Sequence, residues 1–255
     1  MTLSIIVPMF NEVENVPRLR KELLPVLREL AARQAVEVIF VDDGSRDGTD
    51  RALRRTFSHR SSDQLRFTAV HHVRNRGLGA ALRTGLAAAS GEIVMTIDSD
   101  GSYDFSEIPA LLACMGPGVD IVTASPYHRD GNVVGVPGSR LILSKGCSLI
   151  YRLLVDRRVR TYTSLFRAYR RAVVKHVWFV DDGHQAVAEM LVRGILLGCK
   201  VVEYPAVLQR RSVGFSKARV VRTIAAHLRL QFLLFLYRIS LKDPVWLALR
   251  DRAAT

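Results

Sequence analysis

The sequence predicts an α/β fold, a single domain whose mostly parallel sheet is sandwiched by helices. Three observations predict it. Short apolar runs alternate with helical stretches four times in about the first 100 residues, the signature of a parallel sheet with helices on both faces. Three of those runs end in acidic or polar loops, Asn11-Glu12, Asp42-Asp43 and Asp98-Ser99-Asp100. In such sheets the strand ends share one edge, where ligands bind. Finally, 255 residues with 49% hydrophobic content can bury one sizeable core.

The elements follow in order. Residues 3–7 are an apolar strand stopped by Pro8. The stretch 16–33 carries Leu19, Leu23, Leu24, Leu27 and Leu30 at helical spacing, and Pro25 should kink or divide that helix. Residues 36–41 form the second strand, and Gly44 permits a tight turn after it. Thr49 or Asp50 is expected to cap a helix through about Phe57. Residues 65–72 form the third strand. His71 and His72 are adjacent there and face opposite ways, one to the core and one to solvent. A glycine-containing loop, 75–79, leads into a helix over 80–89, and residues 91–96 are a buried strand. The second half is less regular. It offers a helix over 105–114, a strand over 119–124, a long loop over 125–138 and an amphipathic helix over 140–154. A short strand at 166–169, a helix at 185–197, a strand at 200–205 and a basic loop at 210–217 complete it. Residues 220–241 are densely apolar and helical. Arg229, Gln231 and Arg238 interrupt them, so the segment reads as too short and too polar to span a bilayer. Packing on the domain, dimer contact and lying in a membrane interface all remain open for it.

Net charge is +13, which points to polyanionic partners: nucleic acid, an anionic membrane surface or phosphorylated substrates. Nucleic acid is disfavoured because the basic residues are dispersed and aromatics make up only 7%, too few for a stacking platform. A dinucleotide fingerprint fails because Leu82 stands where Gly77-Leu78-Gly79 requires its third glycine. Cys114, Cys147 and Cys199 form no close pair, which argues against a disulfide framework or zinc site and fits a reducing cytoplasm. The amino terminus opens into a strand-like run, so no leader is expected.

The chemistry centres on Asp98 and Asp100. Residues i and i+2 of an extended segment point the same way, so both carboxylates aim at one point and call for a cation between them. An oxygen-only pair suits Mg²⁺ or Mn²⁺, which keep positions open for phosphate oxygens.

The stretches 4–12, 41–49 and 75–79 and the Asp98-Ser99-Asp100 triplet stand in an order that resembles the family 2 glycosyltransferases of the GT-A fold. Residues 163–171, 188–191 and 211–217 narrow the resemblance to the dolichyl/polyprenyl-phosphate mannose synthase branch. That resemblance covers about residues 4 to 220 and implies a catalytic domain over 1–219. Its nucleotide-sugar half would be about 1–124 and its acceptor half 125–219, with a helix and tail at 220–255. It implies an inverting, metal-dependent transfer of a sugar from GDP-mannose or a UDP-hexose to a polyprenyl or dolichyl phosphate. The resemblance implies a cytoplasmic enzyme, either free or peripheral on the cytoplasmic face of the membrane. By the same resemblance, Asp98 and Asp100 hold the metal, with Ser102 a weaker third ligand. Pro8, Phe10, Glu12, Val41, Asp43 and Ser99 surround the nucleotide-sugar. Arg211 and Lys217 clamp its phosphates. Arg140 and Ser144, one helical turn apart, receive the acceptor phosphate.

The chain departs from the branch at Ser102, where Gln is usual, and at Pro126, where an arginine is usual. Arg129 is the expected substitute in the same loop. A lipid phosphate is already an anion at neutral pH, so no strong general base is required. A hydroxyl acceptor would need one, with Glu189 or Asp104 as candidates. The remaining alternatives are a family 2 enzyme with a sugar hydroxyl acceptor and a catalytically inactive module of the same shape. Oligomeric state is not readable.

Overall fold

The computed structural model describes residues 2–177, 179–211 and 220–239. Lys217 and the tail beyond Ile239 lie outside them. Nine strands are described: β1 (Thr2–Met9), β2 (Ala35–Asp42), β3 (Leu65–His71), β4 (Ile93–Thr96), β5 (Ile121–Ser125), β6 (Asn132–Val134), β7 (Arg167–Arg170), β8 (Val201–Pro205) and β9 (Val207–Gln209). Seven form one sheet in the order β3-β2-β1-β4-β7-β5-β8. All neighbours are parallel except β7, which runs antiparallel to β4 and β5. β6 and β9 pair separately, in parallel. The expected long loop after β5 therefore contains a strand.

Alternation along the strands divides the core between the two faces. Leu3, Ile5 and Val7 of β1 join Val38 and Phe40 of β2 on one face, under the first helical segment. Ile6 joins Ile39 and Val94 on the other. The first helical segment opens as α1 (Val16–Arg18), passes through a π-turn over Leu19–Leu23 and continues as α2 (Leu24–Ala31). The wide turn directly precedes Pro25, whose missing N–H and ring obstruct a regular α-turn. The expected division is thus a change of helical pitch. α3 (Thr49–Phe57) and α5 (Ile108–Ala113) cover the same face, and α4 (Leu78–Ala88) and α8 (Gln185–Leu196) cover the other. α7 (Arg171–His176) is a short turn after β7 that the sequence pattern did not reveal.

α6 (Gly138–Leu154) and α9 (Val220–Arg238) lie side by side on the second face. α9 is 19 residues long with a mean hydropathy of 1.3, enough by length and composition to cross a membrane. The expectation that it is too short and too polar is corrected on those two counts. Its placement is lateral: Leu230 and Leu234 enter the core. Gln231 donates to the Cys147 carbonyl at 3.2 Å, and Arg238 reaches the Leu153 carbonyl. His227 Nδ1 meets the Tyr151 hydroxyl at 3.0 Å.

Burial holds His227 down at about 4. A base depressed in the folded state binds more protons when unfolded between that value and its ordinary value of about 6.5. Stability should therefore climb from pH 4 to 6.5 and level off above it. Thermal melts of wild type and His227→Gln across that range check this: the variant should lose part of the acid-side slope.

Candidate active site

The site is built at the carboxyl edge of β1, β2 and β4, where three loops are pinned to one another. Asn11 takes a left-handed backbone, φ 51°, a conformation asparagine tolerates. Its amide donates to Ser45 Oγ at 2.7 Å and its side-chain oxygen accepts from Arg46 N at 2.8 Å. The Glu12 amide donates to Thr49 Oγ1 at 2.9 Å, and that of Val13 donates to Asp47 at 3.0 Å. Thr49 therefore does not cap α3. Gly48 holds the cap position, and the Thr49 hydroxyl is used to fix the β1 loop.

Asp42 and Asp43 work mostly inward. Asp42 accepts from Ser45 N at 3.1 Å and faces His71 Nδ1 at 2.8 Å. Asp43 accepts from Arg76 N at 2.9 Å and Gly77 N at 2.7 Å, and its other contact is His72 Nδ1 at 2.7 Å. His72 is buried and His71 exposed, as strand alternation requires. Asp42, Asp50 and His71 also bring one ligand atom each within 4.8 Å. That cluster is internally engaged, because Asp50 pairs with Arg54 and Asp42 with His71.

Gly77 and Gly79 carry no phosphate signature here. They admit the loop before α8: a Cβ on Gly77 would stand 2.2 Å from the Asp182 carbonyl oxygen, and one on Gly79 1.9 Å from that of Asp181. Gly79 N donates to Asp182 O at 2.7 Å. The glycine motif thus joins the two halves of the chain.

The acid pair sits where β4 runs out. Asp100 and Ser99 are buried. The turn is held from behind by Arg18, which donates to the Asp100 carbonyl at 2.9 Å. Gly101, at φ 67°, leaves the space the Arg18 guanidinium fills. Sequence reasoning missed Arg18; the only trace was a glycine directly after Asp-x-Asp. Ser102 donates its amide to Asp100 Oδ1 at 2.9 Å and its hydroxyl also bonds that carboxylate. Ser102 thus orients the Asp100 carboxylate, beside the place where it is expected as a third ligand.

Arg211 closes the site. Its Nε donates to Asp100 Oδ2 at 2.7 Å and its Nη2 lies 3.4 Å from Glu12 Oε1. The backbone just before it is anchored by Gln209 N to Ser102 O at 2.9 Å and Arg210 N to Val134 O at 3.0 Å. Burial, then the charge of Asp100, push the Asp98 carboxyl well above the usual range, against the attraction of Arg211 and Arg140. Burial also pushes Asp100 up, but Arg211 and Ser102 more than offset this and hold it low. Two converging carboxylates, one of them reluctant to ionise beside the other, are a donor set that fits Mg²⁺ or Mn²⁺.

The structure brings Glu12, Asp100 and Arg211 into contact, and the charges of Arg211 and Arg140 both act on Asp98. Ser144 Oγ lies 2.9 Å from Thr163 Oγ1, one turn beyond Arg140 on α6. Arg129 is not brought in: its side chain is 79% exposed and pairs with Asp130 at 3.2 Å. The Val41 side chain lies in the core beneath α4, so only its backbone, at the end of β2, faces the site edge. Pro8, near the end of β1, and Phe10, just after it, are half-buried. Glu189 accepts from Arg193 at 2.7 Å and from the Asp181 amide at 3.2 Å. Asp104 caps the turn after the acid pair by accepting from Ser106 N at 2.8 Å.

A mostly parallel sheet with an acid pair at the end of a central strand defines a glycosyltransferase of the GT-A fold. The chain belongs to glycosyl transferase family 2, whose model matches residues 4–186. It is 33% identical over 219 residues to the polyprenol monophosphomannose synthase of Mycolicibacterium smegmatis, covering 84% of this chain and 79% of that protein. It is 30% identical over 231 residues to the dolichol-phosphate mannosyltransferase of Pyrococcus furiosus, covering 90% of this chain and 62% of that one. In fold it is similar to glucosyl-3-phosphoglycerate synthase from Mycobacterium tuberculosis, solved with Mn²⁺, uridine diphosphate and phosphoglyceric acid. The TM-score is 0.66 at 23% identity, over 95% of this chain and 80% of that one.

Gly77→Ala should destabilise the protein by about 2 kcal/mol or more, because it combines a positive-φ penalty with a backbone collision. Urea unfolding reads this directly. Gly118→Ala also has positive φ, at 71°, but meets nothing within 4 Å, and should cost less.

Proposed function

We propose that the chain transfers a hexose from a nucleoside-diphosphate sugar to a polyprenyl phosphate, with inversion and with Mg²⁺ or Mn²⁺ held by Asp98 and Asp100. The observation that carries this reading is Arg211, 2.7 Å from Asp100 and 3.4 Å from Glu12 at the end of β4, with the charge of Arg140 on α6 also acting on Asp98. The relatives' names, polyprenol monophosphomannose synthase and dolichol-phosphate mannosyltransferase, support the lipid-phosphate acceptor and a mannosyl donor.

The metal, when bound, neutralises the leaving diphosphate. The rest falls to the protein's own groups. The end of β1 and its loop, with Pro8, Phe10 and Glu12, border the base and ribose, and Asp43 shapes that pocket by holding the loop at 76–77. Arg211 takes diphosphate oxygens, with Lys217 from beyond the described residues. Arg140 and Ser144 receive the acceptor phosphate. Its oxygen attacks the anomeric carbon in line, already deprotonated, so the chemistry is positioning and charge neutralisation. A hydroxyl acceptor fits less well, because Glu189 and Asp104 are committed to Arg193 and to a helical cap.

A lipid acceptor also suits the outer face of α6 and α9. Ile142, Leu149 and Leu153 of α6 and Leu228, Phe232 and Phe235 of α9 are exposed, with Lys145, Arg222 and Arg229 exposed on the same two helices. Apolar ridges with basic flanks lie in an anionic membrane interface.

Calorimetry with GDP-mannose, UDP-glucose and UDP-N-acetylglucosamine, with and without Mn²⁺, tests the donor. One donor should bind in a metal-dependent manner, and Asp100→Ala should abolish that dependence and lower turnover onto polyprenyl phosphate by roughly 10²–10³. Absence of binding by every donor would overturn the reading. Sedimentation with phosphatidylglycerol vesicles tests the face: Phe232→Asp and Phe235→Asp should each weaken binding by roughly tenfold, and unchanged sedimentation would remove α9 from the interface.

A further inference from the structure

Arg211 is placed where a metal's charge is needed. Its guanidinium lies between Asp100 and Glu12, at 2.7 Å and 3.4 Å, and its field also reaches Asp98. Two carboxylates from two loops thus share one guanidinium, and the charge of Asp98 acts on it as well. Asp100 and Glu12 are buried, and buried charges persist only when paired. A guanidinium cannot release its proton to solve the problem. Its side chain is only 19% exposed, so the contact is screened little by water.

The same carboxylate oxygens are those a divalent ion would take. A metal approaching Asp100 meets an acceptor already bonded to Arg211 Nε, and must displace a cation as well as shed water. A nucleoside diphosphate changes the balance, because its phosphate oxygens offer the guanidinium an equal or better partner. Movement of the side chain suffices: the backbone is anchored through Gln209 and Arg210 to Ser102 and Val134.

We propose that Arg211 is an internal counter-cation that competes with the metal for Asp100, so that metal and donor diphosphate bind as one coupled unit. This inference rests on the reading of Asp98 and Asp100 as metal ligands. Metal alone binds weakly because Arg211 competes with it. The diphosphate draws Arg211 off Asp100, and the carboxylates become available as the phosphates arrive. The coupling is reciprocal: metal must raise nucleotide affinity by the factor by which nucleotide raises metal affinity. Between turnovers the arrangement keeps the acid pair neutralised without holding a metal.

The test is Mn²⁺ binding to the full chain, followed by the electron paramagnetic resonance signal of free Mn²⁺, with and without UDP or GDP. It compares wild type, Arg211→Gln and Arg211→Lys, each checked for folding by circular dichroism. Arg211→Gln should bind Mn²⁺ alone about tenfold more tightly than wild type. The tightening that nucleotide produces should shrink by a similar factor. Arg211→Lys, which keeps the charge but loses the fork, should fall between. Equal or weaker metal affinity in Arg211→Gln would overturn the proposal, as would no Mn²⁺ binding in either protein. A normal metal comparison with no nucleotide effect in any protein would instead strike the donor reading and leave the counter-cation role standing.

Discussion

One guanidinium shared by two carboxylates, with a third acid acting on it by its charge, is the constraint around which the site is built. Glu12 arrives on the β1 loop, Asp98 and Asp100 on the β4 loop, and Arg211 just after β9. Left to themselves the acids repel, and in a poorly hydrated pocket that repulsion is strong. Rigidity in the surrounding loops is what keeps them together. Asn11, Asp47 and Thr49 clamp the β1 loop to the β2 loop, and Arg18 and Ser102 fix the backbone and the carboxylate of Asp100. Most of the acidic and hydroxyl residues around the site thus position the few that face its centre. This division of labour is what a preorganised electrostatic site requires.

The second half of the chain is fastened to the first by polar contacts inside an apolar frame. Arg167, wholly buried on β7, donates to Thr123 on β5 at 3.0 Å, to the Val187 carbonyl on α8 at 2.8 Å and to the Tyr162 carbonyl at 3.2 Å. One side chain therefore ties strand, helix and loop. Because β7 is the antiparallel strand between β4 and β5, this tie sits directly beside the strand that ends in the acid pair. The glycine contacts at 77–79 form a second tie, between α4 and the loop that leads into α8. Arg140 can act on Asp98 only because both hold.

Much of the fold was legible because long strands and helices repeat. The strands over 3–7, 36–41 and 65–72 emerged within a residue or two, since four or five apolar positions in so short a run leave little ambiguity. β6, β9 and α7 did not, because three to six polar-flanked residues carry no period. The acid pair was legible as chemistry. Its supports were not: Arg18 is 82 residues from the carbonyl it holds, and no local pattern encodes that meeting. Val41 shows what a motif leaves out. It sits beside Asp42 in a motif that resembles a nucleotide-binding stretch, and strand alternation gives its side chain to the core. The motif names the stretch and does not say which of its atoms face the site.

The proposed reaction asks less of a base than of cations. Joining a sugar diphosphate to a lipid phosphate brings two anions together, and the obstacle is charge rather than proton removal. The proposed reaction is therefore served best by cations on both sides of the reacting centre and by acids already spoken for. Arg211 enters from the strand pair β6-β9, and Arg140 from the first turn of α6. Asp98 feels both. Glu189, the buried acid a hydroxyl acceptor would call upon, is held by Arg193 and the amides at 180–181. An acid fixed so firmly to its own helix and loop is poorly placed to collect a proton from a substrate. On these contacts the geometry favours an acceptor that arrives already charged.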